Sequence, residues 1–173
     1  MTVVFSAVSP YLIVMTVDSA VTLEFENCRE YTTGRKSYFY SGIGCVTTWG
    51  TRNGNKIGQF LDKRISSLDS CSIDDLTELV NQYLVEEYRP KEFNLDEVGY
   101  HVAGFDSDGR PHLSHIFWGF DRPRDPRQID PKYEKYDHSP PPQHIEFLYN
   151  GRNDLADILV RALLDQIRQG KAI

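Results

Sequence analysis

Thr2-Val3-Val4-Phe5-Ser6-Ala7-Val8-Ser9-Pro10-Tyr11-Leu12-Ile13-Val14-Met15-Thr16-Val17-Asp18 is the stretch on which the reading of this chain turns. Apolar residues run or alternate on both sides of the turn-forming pair Ser9-Pro10, so Thr2–Val8 and Tyr11–Asp18 are expected to form a β-hairpin. The stretch does not read as a secretory leader. No basic region precedes it, Ser6, Ser9 and Pro10 interrupt it, and it closes on an acid. Its first residue carries chemistry of its own. Aminopeptidases remove Met1 when a small residue follows, and that would give Thr2 a free amine beside its hydroxyl. A hydroxyl is a poor nucleophile at neutral pH, and an α-amine titrating near ~8 is a well-matched general base for it. One residue then supplies both nucleophile and base. The same position equally suits the plain first residue of an edge strand.

Outward from this hairpin, Lys36–Ser41 and Cys45–Trp49 repeat the pattern around Gly42-Ile43-Gly44, so four short strands are expected before any helix. From Thr51 to about Leu68, Ile57, Phe60, Leu61, Ile65 and Leu68 fall near helical spacing. A second helix starts at the capping-box-like Ser72-Ile73-Asp74-Asp75, carries Leu76, Leu79, Val80, Tyr83, Leu84 and Tyr88 on one stripe, and stops at Pro90. Val98–Phe105, the turn Asp106-Ser107-Asp108-Gly109 and His112–Trp118 read as a third hairpin. Asp121–Gln143, Pro-rich and aperiodic, is expected to be a long surface loop. A strand His144–Tyr149, a turn at Asn150-Gly151 and a helix from Asn153 or Asp154 to about Gln169 complete the chain. Strands, two helices, strands and a helix, linked by hairpins, predict an α+β domain over residues 1–173: two antiparallel sheets face to face with helices outside.

Composition narrows the function. A net charge of −6 and a pI near 5.3 argue against nucleic-acid binding, and no apolar run suggests a membrane span. Three cysteines, Cys28, Cys45 and Cys71, are an odd number without ligand spacing, which speaks against a disulfide framework or a zinc site and for a reducing cytoplasm. His112 and His115 are three apart on one strand, so they face opposite sides and do not share a metal. His101, His138 and His144 have no partner that sequence places beside them. Asp106-Ser107-Asp108-Gly109 lacks the downstream Glu of a calcium loop and reads as a hairpin turn. Phosphate-loop, dinucleotide and Gly-x-Ser-x-Gly signatures are absent, and no cofactor or metal is expected.

Thr2-Val3-Val4, Val14-Met15-Thr16-Val17-Asp18-Ser19, Trp49-Gly50-Thr51, Val102-Ala103-Gly104-Phe105-Asp106, Gly109-Arg110-Pro111-His112-Leu113 and Trp118-Gly119 follow one another in an order that resembles the proteasome β-subunit and bacterial proteasome-like protease family. Thr2 and Asp18 stand at the family's spacing of sixteen positions (18 − 2 = 16). The resemblance implies a four-layer αββα sandwich of the N-terminal-nucleophile hydrolase type. Thr2 would be the nucleophile and Asp18 the buried acid that holds a lysine charged. The oxyanion donor would be the N–H of Gly50, or of Gly44 in another register. The family's lysine position falls here on Gly34. Lys36 lies eighteen after the acid (36 − 18 = 18) and fourteen before Gly50 (50 − 36 = 14), the family's lysine-to-glycine spacing. Lys36 is thus either that lysine after a two-residue insertion or a solvated turn residue. Asn150-Gly151-Arg152-Asn153-Asp154 replaces a serine-bearing turn; Asn153 either substitutes for the serine or caps the last helix. The family's last strands would follow Ile173, so a shortened relative is expected.

Two functions remain from these residues. One is a threonine peptidase or amidohydrolase acting on a peptide or other amide and assembled as a dimer or ring; the other is a proteasome-like subunit without turnover, used for assembly or partner binding.

Overall fold

The computed structural model describes residues 3–24, 29–50, 54–87, 98–118, 132–137 and 146–150, with 158, 161–162, 164–165 and 169. The opening hairpin is β1 (Val4–Val8) and β2 (Ile13–Val17), closed by Ser9, whose N–H donates to the Leu12 carbonyl at 2.9 Å. Alternation decides its facing: Val4, Ser6 and Val8 are buried, and their register mates Val17, Met15 and Ile13 share that side. A ribbon of β3 (Ala20–Glu24) and β4 (Arg29–Thr33) follows, so six strands precede the first helix and not four. Its short, half-polar strands carry too few apolar residues for alternation to reveal them.

The main sheet is antiparallel in the order β5 (Ser37–Tyr40), β6 (Gly44–Gly50), β7 (Val98–Phe105), β8 (Pro111–Trp118), β9 (Lys132–Asp137). The last of these corrects the expectation of an unstructured Asp121–Gln143. Lys132-Tyr133-Glu134-Lys135-Tyr136-Asp137 spaces its apolar residues by three and is charged between them, which hides the period but suits an edge strand. A smaller sheet has β10 (Glu146–Asn150) beside β1 and β1 beside β2. The two sheets meet where Val8, Ile13 and Met15 pack on Ala103 and Leu113.

On its other face the main sheet carries two helices. In α1 (Gly54–Ile65), Ile57 and Leu61 are buried one turn apart. The helix ends before Leu68, which is 45% exposed, and Ser66 and Ser67 hydroxyls donate to the Lys63 and Arg64 carbonyls. In α2 (Ile73–Gln82) a capping box is formed by Ser72 and Asp75, whose carboxyl is held below its usual range by hydrogen bonds from the Ser72 N–H and hydroxyl. The stripe continues through a π-helical turn at Tyr83–Glu87, which buries Tyr83 and Leu84. Helix residues Ile57, Leu61, Leu76 and Val80 form one core with Val46, Tyr100, Val102 and Ile116 of the sheet. The described residues therefore form an α+β arrangement of helices, main sheet and small sheet.

Glycines permit the closest approach of these layers. Gly44 and Gly104 pair across β6 and β7, and the Ile73 methyl seats over both, 2.8 Å from where either would carry a Cβ. A Cβ on Gly104 would also meet the backbone carbonyl of Ile43, which has no flexible end to withdraw. Gly104→Ala is expected to destabilise the protein by about 2 kcal/mol, as overpacking typically does, measured as a lower urea midpoint.

Candidate functional site

Strand β2 ends at Val17, and the next residue turns its carboxylate back across the hairpin. Asp18 donates its N–H to the Val3 carbonyl at 3.2 Å, while its Oδ2 accepts the Val3 N–H at 3.2 Å. The other oxygen, Oδ1, accepts from Lys36 Nζ at 2.6 Å. Lys36 is 9% exposed and Asp18 is about a third exposed, at 32%. Lys36 is therefore not a solvated turn residue. Its position is set by backbone bonds on both sides: Gly34 N–H donates to the Ser19 carbonyl at 2.8 Å, and Thr48 N–H donates to the Lys36 carbonyl at 2.9 Å. Such a charge-assisted pair is short and directional, and removing one partner leaves a charge that the fold has already withdrawn from water.

Two residues beyond Thr48, Gly50 ends β6 with φ 89°, a left-handed conformation that only glycine adopts readily. Gly44, the other candidate glycine, sits at the opposite end of β6 against Gly104. The structure thus gathers Asp18 and Lys36, ties the Lys36 backbone to the strand that ends at Gly50, and sets Gly44 apart. Thr2 and Asn153 lie outside the described residues.

Between the sheets, next to this group, lies a polar and aromatic layer whose hydrogen-bonded pairs the sequence does not place. Ser6 Oγ and His101 Nδ1 are 2.8 Å apart and both residues are fully buried. Trp49 Nε1 donates to His115 Nε2 at 3.3 Å. The His115 ring stacks on Phe117 with centroids 4.8 Å apart and meets His101 edge-on at 5.1 Å. Pairing explains the cluster: Thr47, His101 and His115 are register mates across β6, β7 and β8 and so share the inward side. Ser6 occupies an inward position of β1, a signal legible in the alternation Val4, Ser6, Val8 once the facing is known. Burial pushes the His115 imidazole down to about 4, so it is neutral and accepts the indole proton.

Further along the strands a cavity of about 440 Å³ opens among Ile13, Met15, Phe39, Ile43, Cys45 and Phe105, and burial raises the Cys45 thiol above its usual range. His112 lies on the helix side of β8, its Nε2 3.2 Å from Asp106 Oδ2 and its Nδ1 3.7 Å from Asp74 Oδ1, so the imidazole sits between the hairpin turn and α2. Among the described residues no three His, Cys, Asp or Glu side chains are grouped to hold a metal, and no helix is long and apolar enough to cross a membrane. Comparison with known proteins returned no matching family model and no matching curated protein.

The buried imidazole makes stability depend on pH. His115 stays neutral in the fold down to about 4 but takes up a proton near 6.5 when unfolded, so acid favours the unfolded chain across that window. Stability is expected to be unaffected by this group above pH 6.5, to fall by about 3 kcal/mol between pH 6.5 and 4, and to change no further below. Urea titrations at stepped pH check this, and His115→Gln should flatten the slope in that window.

Proposed function

We propose that this chain is an N-terminal-nucleophile amidohydrolase of the threonine type with the four-layer αββα sandwich of that fold. The observation that carries the reading is the Lys36–Asp18 pair. Asp18 holds the N–H of the peptide that links Val3 to Thr2, at 3.2 Å, and Lys36 Nζ at 2.6 Å. In this reading the Lys36 ammonium supplies the positive charge that favours alkoxide character at the nucleophile during attack.

In this mechanism Met1 has been removed. The Thr2 amine takes the hydroxyl proton as Oγ forms a bond to the substrate carbonyl carbon, and the carbonyl electron pair moves onto oxygen. Gly50 N–H donates to that oxyanion. Collapse breaks the C–N bond, the proton passes from the amine to the leaving nitrogen, and an ester to Thr2 remains. Water, deprotonated by the same amine, attacks the ester and releases the acid, which restores Thr2. No metal or redox group takes part in these steps. The free thiols of Cys45 and Cys71 fit a reducing compartment such as the cytoplasm.

A second reading, a subunit without turnover that acts by self-assembly or partner binding, is favoured by a different observation. Tyr11 is 76% exposed, Leu12 61% and Phe39 72%, apolar side chains that a second subunit or a partner would cover. Mass spectrometry separates the two. The hydrolase predicts loss of Met1 from the purified protein and a single adduct on Thr2 after incubation with a β-lactone or epoxyketone; retained Met1 or an unlabelled free Thr2 selects assembly. Thr2→Ala should abolish amide hydrolysis with the fold intact, and Asp18→Asn should slow Thr2 labelling on the order of a hundredfold.

A further inference from the structure

We propose that His115 is a positioning residue for the Gly50 N–H and acts on it through the indole of Trp49; its catalytic meaning rests on the reading of Gly50 as the oxyanion donor. Trp49 and Gly50 share one planar peptide, so the direction of the Gly50 N–H follows the backbone setting of Trp49. The side chain of Trp49 is 9% exposed and lies against Gly99, its register mate on β7, where any Cβ would overlap the indole. Phe117 bounds the ring on a further side, with centroids 6.3 Å apart.

Shape alone admits the indole in this slot, and one hydrogen bond orients it. Indole nitrogen only donates, so His115 Nε2 presents its lone pair and the ring proton sits on Nδ1. Burial keeps that imidazole neutral, and it is stacked on Phe117 at an interplanar angle of 23°. The other titratable ring facing it, His101 on β7, is itself bonded to Ser6. On the chain side the preceding residue, Thr48, donates its N–H to the Lys36 carbonyl at 2.9 Å. The strip Thr48-Trp49-Gly50 therefore joins the segment holding Lys36 to the glycine, and the Trp49–His115 bond is a polar side-chain anchor of that strip.

His115→Phe retains a stacked ring and removes the acceptor; His115→Gln retains an acceptor. Trp49→Phe removes the donor and leaves His115 in place, which keeps the test open if His115→Phe does not fold. The experiment records ¹⁵N–¹H spectra of the full chain, with the indole signal of Trp49 assigned by Trp118→Phe, and measures the rate at which a β-lactone labels Thr2. His115→Phe and Trp49→Phe are expected to displace the Gly50 amide signal alike, without further displacement in the double variant, and to slow labelling on the order of tenfold to a hundredfold. In His115→Gln the Gly50 signal and the rate return towards wild type. An unmoved Gly50 amide in His115→Phe and Trp49→Phe, or a His115→Gln that behaves as His115→Phe, overturns the positioning role. A wild-type chain that is never labelled overturns the hydrolase reading alone, because the Gly50 signal still decides the coupling.

Discussion

One carboxylate ties together three pieces of chain. Asp18 follows β2, accepts from the backbone beside β1 and pairs with Lys36 at the start of β5. Because β1 and β2 belong to the small sheet and β5 to the main sheet, this residue spans the edge at which the two sheets come together. Lys36 is drawn out of water to reach it. An ion pair of this kind contributes little net stability compared with apolar packing, but it is costly to break on one side, so it holds geometry more than it adds free energy.

The layer between the sheets divides along the strands. At one end Val8, Ile13, Met15, Ala103 and Leu113 form an apolar contact; at the other, Ser6, His101, His115 and Trp49 replace it with hydrogen-bonded rings. A purely apolar filling would pack as well. Buried polar groups are tolerated only where they find partners, and they admit fewer arrangements than apolar ones do. The polar end is also the end that carries Asp18, Lys36 and Gly50, so directional contacts are concentrated where backbone placement matters to chemistry. The apolar end is left with the cavity and with the exposed Phe39 and Phe105.

Much of this fold was legible in the chain. Apolar stretches on either side of Ser9-Pro10 marked β1 and β2, a capping box marked the start of α2, and Asp106-Ser107-Asp108-Gly109 marked the turn between β7 and β8, where Asp106 accepts from the N–H groups of Asp108 and Arg110. What escaped were strands without an apolar period. The ribbon β3–β4 and the edge strand β9 exist because a neighbour offers a ladder, and charged or threonine-rich segments accept such a ladder without showing alternation. Of the candidate site, Asp18 and Gly50 were named from the resemblance, whereas Lys36 stood between two readings because spacing alone says nothing of burial.

The sequence by itself determined the first hairpin, the start of α2 and the turn between β7 and β8, since apolar runs, caps and turn residues act over a few positions. It also placed a threonine and an acid at a suggestive separation. Tertiary structure decided which distant residues meet: that Lys36 turns inward to Asp18 across eighteen positions, that Gly99 leaves room for the Trp49 ring, and that His101 and His115 share one inward side. The reason is physical. Register and sheet packing bring together side chains whose separations along the chain follow no period, and burial and ion pairing become defined only once those partners are in place.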